Sequence, residues 1–209
     1  MNIDVWSDVV CPWCYIGKRR LERALEKFEF RDEIIVHHRA FELAPDARET
    51  MPTSKLLAEK YRISPDDVKR MQANVCAIAD GEGLCYSLDE TLSGNTFDAH
   101  RILLWAATLE KQNELLEAMY SNYFEKSLPL FSYQDLCFVA ESVGISAVEV
   151  MKILDSDQFT QEVMEDRKLA SQLGATGVPF FVVDMKYAIS GAQPVETFSQ
   201  VLETAWSDR

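Results

Sequence analysis

The chain has 209 residues, 47% of them hydrophobic, which is enough to bury a substantial core and excludes wholesale disorder. Lys and Arg number 21 against 34 Asp and Glu, and the resulting net charge of −13 would repel phosphates, so nucleic acid and anionic membranes are not expected partners. No apolar run approaches a membrane span, and Met1-Asn2-Ile3-Asp4 opens with neither the basic nor the apolar stretch of a signal peptide, so the expected compartment is the cytoplasm.

In chain order, Ile3 to Val10 alternate and read as a strand. A helix follows at once, because Pro12 suits a first helical position and Ile16, Leu21, Leu25 and Phe28 form an apolar stripe. Ile34 to Arg39 read as a second strand and Glu42 to Ser54 as a polar loop. The pattern is then helical to about Gly174. One stripe runs through Val68, Met71, Val75, Ile78 and Ala79. A helix capped by Asn95 or Thr96 runs to about Lys111, and another passes through Leu115, Leu116, Met119, Tyr123 and Phe124. Ser132-x-x-Asp135 and Ser146-x-x-Glu149 have the spacing of capping boxes, and Gly144 and Gly174 sit where helices end. Pro179 to Asp184 and Tyr187 to Ser190 read as strands, and Pro194 opens a last helix. The parse is a β/α unit split by a helical block.

The chemistry-bearing feature is Cys11-Pro12-Trp13-Cys14, a C-x-x-C at the strand-to-helix junction. There Cys11 lies near the unsatisfied N–H groups and the positive end of the helix, which stabilise a thiolate and make it the better nucleophile. Cys14, nearly one turn further in, is placed to resolve a mixed disulfide. Pro12 stiffens the turn, and Trp13 adds an aromatic surface beside the sulfur. Half of a zinc site is the alternative, but Cys76 and Cys85 are separated by eight residues and supply no second C-x-x-C. Further on, Gly177-Val178-Pro179-Phe180 puts a proline at a strand entrance.

Ser7-Asp8-Val9-Val10-Cys11-Pro12-Trp13-Cys14-Tyr15-Ile16-Gly17-Lys18-Arg19 resembles the start of DsbA-like thiol–disulfide oxidoreductases of the FrnE branch, which includes relatives of 2-hydroxychromene-2-carboxylate isomerase. The likeness continues through Asn95 to Arg101, Gly174 to Phe181 and Ser190 to Pro194. It implies an α/β, thioredoxin-like fold with an inserted all-helical domain: core in 1–44 and 166–209, insertion in 45–165. It also implies a cis bond before Pro179, packed opposite Cys11, with the Val178 backbone pairing to substrate and the proline keeping metal away from the sulfurs. The implied activity is disulfide exchange with a protein or small-thiol substrate, served by an unidentified electron donor or acceptor. No cofactor is expected beyond the redox-active pair Cys11–Cys14, with glutathione a candidate small thiol. The chain departs from periplasmic DsbA proteins in carrying Trp13 where they carry histidine, which implies a less oxidising centre. The isomerase relatives generally have serine at the position of Cys11. Two other classes stay open: a glutathione-dependent isomerase or transferase, and a non-catalytic thiol module that binds metal or senses redox state.

Cys76 and Cys85 read either as small buried hydrophobes or as a second redox pair, and Cys137 as a core residue. His100 shares a helix face with Phe97 and Leu104 and reads first as a satisfied histidine between helices. The resemblance adds a second reading for Asn95, Thr96, His100 and Arg101, as residues shaping a cleft between insertion and core. His37 and His38 point to opposite sides of a strand, and nothing recommends either as a ligand.

Overall fold

The structure, a computed structural model, describes all residues 1–209. A four-stranded sheet in the order β2-β1-β5-β6 anchors it, built from β1 (Asn2–Ser7), β2 (Ile35–Ala40), β5 (Phe180–Val183) and β6 (Tyr187–Ser190). β1 runs parallel to β2, from Asn2 opposite Ile35 to Ser7 opposite Ala40, and antiparallel to β5, with Ile3 opposite Val183. Strand alternation sends Ile3 and Val5 to one face, where Leu21 and Ala24 of α1 (Pro12–Glu26) and Phe198, Leu202 and Ala205 of α9 (Val195–Ser207) bury them. Trp6, Phe180 and Val182 pack on the other face against Ala170 of α8 (Thr160–Gln172). The Trp6 indole donates to the Asp166 carbonyl at 2.8 Å, and the Asp166 carboxylate accepts the Ala40 N–H at 2.9 Å.

Between β2 and α8 lies the helical insertion: α2 (Thr53–Tyr61), α3 (Pro65–Gly81), α4 (Phe97–Ala107), α5 (Gln112–Tyr120), α6 (Tyr133–Ser142) and α7 (Ala147–Leu154). Two short strands, β3 (Met51–Pro52) and β4 (Leu92–Ser93), pair inside it. The largest apolar cluster, 26 residues, belongs mainly to this block but extends to Val9, Cys11, Cys14, Tyr15 and Ile16. The insertion also covers the outer edge of β2, where the His38 N–H donates to Gln112 Oε1 at 3.3 Å and Gln112 Nε2 donates to the His38 carbonyl at 2.9 Å. The boundary expected between 165 and 166 falls inside α8, whose length touches both α4 and the sheet.

Several elements differ from the sequence expectation for local reasons. β1 stops at Ser7, not Val10, because the Asp8 carbonyl turns to accept the Cys11 N–H at 3.0 Å. The Ser132–Asp135 capping box forms, as does one at Ser64–Asp67, whereas Ser146 makes no side-chain cap. There the Ser146 carbonyl itself accepts the N–H groups of Glu149 and Val150, each at 3.0 Å, leaving the hydroxyl no role. The helix expected through Phe124 ends at Tyr120 and widens into a π-helical turn over Ser121–Glu125. Asn122 Nδ2 donates to the Ala118 carbonyl at 2.7 Å, competing for a group the ordinary ladder would use.

Two stability outcomes follow from this packing. A Cβ on Gly17 would stand 3.0 Å from Pro179 Cγ and 3.1 Å from Phe181 Cζ. Overpacking of that kind costs about 1–3 kcal/mol against a helix-propensity gain of about 1 kcal/mol, so Gly17→Ala lowers unfolding stability in urea by up to about 2 kcal/mol. A stabilised variant would show that Pro179 gives way freely. Burial, reinforced by the Lys18 charge, lowers the His38 pKa from 6.5 to about 4. The unfolded chain takes up this proton near pH 6.5 while the folded protein resists to about pH 4, so the contribution is full above 6.5 and is lost between the two values. For a histidine that keeps partial exposure, the effect is on the order of 1–2 kcal/mol, and His38→Gln should remove that share of the decline in urea midpoint between pH 7 and 4.5.

Candidate active site

The site forms where β1 turns into α1. Cys11 is the N-cap, with extended backbone (φ −94°, ψ 111°), and Pro12 takes the first helical position, where no N–H is needed. The Cys14 N–H donates to the Cys11 carbonyl at 3.0 Å and closes the first turn. Both cysteines are free thiols and both are buried, Cys11 to 4% and Cys14 to 2% exposure. They differ in what they face. Cys11 lines a groove and donates through Sγ to the Val178 carbonyl at 3.6 Å, whereas Cys14 points away from the groove into the apolar cluster. Burial pushes the Cys14 thiol well above its ordinary range, its hydrogen bond with Cys11 and the Cys11 charge push it further, and the Asp8 N–H opposes them. Cys14 therefore holds its proton at neutral pH.

The Val178–Pro179 peptide bond is cis. Pro179 sits against α1 because Gly17 presents no side chain there, and this close approach brings the Val178 carbonyl to Cys11. From the other side the insertion holds the same turn. The Tyr86 hydroxyl donates to the Pro12 carbonyl at 2.8 Å, and its ring stacks on Phe124 at 4.8 Å. Tyr15 stacks on Tyr120 at 4.8 Å and donates to Glu117 Oε1 at 2.7 Å. Buried Lys18 pairs with Glu117 at 2.8 Å and also with Glu22, while Arg19 bridges the same two carboxylates. Burial alone would raise Glu117, but these donors hold it below the usual carboxylate value.

The groove beside Cys11 encloses about 420 Å³. Trp13 and Val178 border it on the core side, α2 contributes Leu56, Leu57 and Tyr61, α3 contributes Met71 and Val75, and the π-helical turn contributes Tyr123 and Phe124. Lys60 is the one charged lining residue, in a chain of net charge −13. An enclosed apolar space of this kind suits the body of a small thiol or a few residues of an extended peptide.

The remaining sequence candidates are brought elsewhere. None of Asn95, Thr96, His100 and Arg101 lines the groove. Asn95 ties the loop at Pro45 to the start of α4, donating to the Pro45 carbonyl at 2.9 Å and accepting the Phe97 N–H at 2.8 Å. Thr96 is buried at the N-cap of α4 without a side-chain cap. Arg101 points into the insertion, where it donates to Gln158 at 2.9 Å and Ile153 at 2.5 Å and also to Ser156, all carbonyls. His100 is buried beneath the active-site turn, its Nε2 3.5 Å from Asp8 Oδ1, and neither atom has a hydrogen-bond partner. In place of the satisfied histidine expected at a helix contact, His100 faces the unpaired oxygen of a carboxylate whose other oxygen accepts the Leu43 N–H at 2.7 Å. Cys76 is half-buried and Cys85 exposed, both as free thiols, and Cys137 is half-buried against the insertion core. Sequence reasoning gave no role to Tyr86, Glu117 or Asp8. Asp8 alone had a signal, as a carboxylate in the turn before the cysteine pair.

The chain is similar in fold to several solved structures. A probable DsbA oxidoreductase from Streptomyces coelicolor is 41% identical, with the whole of this chain and 91% of that one covered and a TM-score of 0.96. A cytosolic disulfide reductase, DsbM from Pseudomonas aeruginosa solved with GSH, is 15% identical over 99% of this chain and all of that one, with a TM-score of 0.69. A 2-hydroxychromene-2-carboxylate isomerase is 16% identical over all of this chain and 95% of that one, also with a TM-score of 0.69. The model of the DSBA-like thioredoxin domain matches residues 2–203, and with this cover and the identity to the Streptomyces protein the chain belongs to the DSBA-like thioredoxin family.

Proposed function

We propose that this chain is a cytoplasmic thiol–disulfide oxidoreductase that works through Cys11 and Cys14. The observation that carries the reading is the division between the two thiols: Cys11 at the helix N-cap in the groove beside the Val178 carbonyl, and Cys14 buried behind it with its pKa raised. The Cys11 thiolate attacks one sulfur of a substrate disulfide, forming a mixed disulfide and expelling the other sulfur as a thiolate that takes up a proton. Cys14 then gives up its proton and attacks Cys11 Sγ, closing the Cys11–Cys14 bond and releasing the second substrate thiol. The substrate gains two electrons and two protons, the protein loses them, and a dithiol or two molecules of a small thiol such as glutathione restore the reduced pair. Run in reverse, the cycle oxidises a dithiol. Burial of Cys14 serves this order, because a protonated Cys14 does not compete for the incoming disulfide yet lies one helical turn from the sulfur it must attack. Extended substrate backbone would lie along the Val178 segment, with its apolar side chains in the groove.

The enclosed groove also suits a small thiol, and a DsbM structure of the same fold was solved with GSH, so a glutathione-dependent isomerase or transferase is the second reading. The two differ in their need for Cys14. Under the proposed cycle, Cys11→Ser abolishes disulfide reduction, and Cys14→Ser accumulates a mixed disulfide at Cys11 with turnover down at least about a hundredfold, as for loss of a covalent-catalysis group. Mass spectrometry of the trapped species checks this, and a Cys14→Ser variant that turns over at the wild-type rate would sink the exchange cycle in favour of the isomerase. With limiting iodoacetamide at neutral pH, Cys11 should label well before Cys14; equal labelling would remove the asymmetry on which the order of steps rests. Metal held in stoichiometric amount by the pair, without turnover, would point instead to the metal-binding or sensing module.

A further inference from the structure

The contact that the exchange cycle leaves unexplained is the one between Tyr86 and the active-site turn. Tyr86 comes from the insertion, in the irregular segment after α3, and its hydroxyl donates to the Pro12 carbonyl at 2.8 Å. That carbonyl belongs to the peptide unit whose N–H is that of Trp13. Trp13 N–H is one of the first-turn donors of α1 that no preceding helical carbonyl can take; Cys11 makes no side-chain cap while its thiol donates to the Val178 carbonyl, but once ionised its sulfur becomes an acceptor at this helix N-terminus. Apart from that hydrogen bond, the phenol is fixed mainly by the insertion. The Ser87 N–H donates to the Phe124 carbonyl at 2.6 Å, Ser127 Oγ donates to the Ser87 carbonyl at 2.9 Å, and the Tyr86 ring stacks on Phe124 at 4.8 Å and on Tyr15 at 6.1 Å. Burial raises the Tyr86 pKa strongly, and the neighbouring Cys11 charge adds to it, so the hydroxyl stays a donor throughout the working pH range.

We propose that Tyr86 is a positioning residue through which the insertion tunes the Cys11–Cys14 couple. This rests on the reading of those two cysteines as the reacting pair. A hydrogen bond donated to a peptide oxygen polarises the whole peptide unit, so the Tyr86 contact makes the Trp13 N–H a stronger donor toward Cys11. The Cys11 thiolate gains from that donor, whereas the uncharged sulfur of the Cys11–Cys14 disulfide gains little. Tyr86 therefore stabilises the reduced, thiolate-bearing state over the disulfide and makes the pair more readily reduced and more reactive when reduced. A phenol that merely fills space would stabilise both redox states alike and leave their ratio unchanged.

The test is the equilibrium of the full chain with a reduced and oxidised glutathione buffer at fixed pH. The Cys11–Cys14 peptide is followed by mass spectrometry after alkylation, in the wild type and in Tyr86→Phe, which keeps the ring and its stacking. The expected result is a shift toward the disulfide of about two- to tenfold, the range for a single hydrogen bond, with slower labelling of Cys11 in the reduced protein. Tyr86→3-fluorotyrosine, a stronger donor of nearly the same size, should move the equilibrium the opposite way, and it carries the test should the phenylalanine variant not fold. Constants within twofold of wild type in the folded variants would overturn the proposal, as would shifts of both variants in the same direction. Failure of the underlying reading has a different signature, since the wild-type pair would then show no reversible two-electron equilibrium with glutathione at all.

Discussion

Helix α1 has to satisfy two partners at once, and the rest of the structure depends on how its fifteen residues are shared between them. Its C-terminal half buries Leu21 and Ala24 under the sheet, while its first turn and a half buries Cys14, Tyr15 and Ile16 in the insertion. The cysteine pair falls where the helix passes from one core to the other. Gly17 marks the crossing point, since a side chain there would strike Pro179 and Phe181 of the sheet core. The same bareness that lets β5 approach the helix brings the Val178 carbonyl to Cys11. Sheet, insertion and cis-proline segment thus fix the first turn from three directions, and the geometry of the thiols follows from packing requirements that have nothing to do with sulfur chemistry.

Charge reinforces this arrangement unevenly. Ion pairs exposed on both sides, such as Lys186 with Asp208, contribute little. The cluster of Lys18, Arg19, Glu22 and Glu117 is different because Lys18 is buried and every member has more than one partner, so it works as a clamp between α1 and α5. A second clamp joins Arg20 and Arg23 of α1 to Glu82 at the end of α3, each with a contact of 2.6 Å. The basic side chains of α1 are therefore largely spent on holding the insertion. The groove, by contrast, carries no carboxylate among its lining residues despite the acidic composition, so a thiolate at Cys11 meets no negative charge on its walls.

The sequence carried the fold well because its signals were local. The C-x-x-C at a strand-to-helix junction, Pro12 at the first helical position, the Gly144 and Gly174 helix ends and the glycine-to-strand run at Val178-Pro179 all reflect constraints within a few residues. The extents of β1 and of the Leu115–Phe124 helix were misjudged because a hydrogen bond from the Cys11 N–H ends the first and the Asn122 side chain distorts the second. Much of the site was illegible for a different reason. Tyr86, Glu117 and the groove walls on α2 and α3 reach the cysteines only through tertiary packing, and nothing in the spacing of Tyr86 relative to Pro12, seventy-four residues earlier, announces their contact. Asn95, Thr96, His100 and Arg101 stood out as a motif, yet three of them serve the joints of the insertion and its loop, and His100 lies below the turn, outside the groove.

That position of His100 bears on why the insertion is large. Asp8 Oδ1, His100 Nε2 and the Tyr120 hydroxyl are all buried without a hydrogen-bond partner, and all stand beside the first turn of α1. A buried polar group left unpaired costs about 1–3 kcal/mol, a noticeable share of the net stability of an ordinary domain, about 5–15 kcal/mol. Apolar burial around such groups has to offset that cost. The 26-residue cluster that surrounds these groups does so, at roughly 1.5–3 kcal/mol for each fully buried large side chain. The insertion does more than wall a groove. It keeps Cys14 dry and protonated, holds the Pro12 carbonyl through Tyr86, and provides the stability that lets unsatisfied polar groups persist next to the sulfurs.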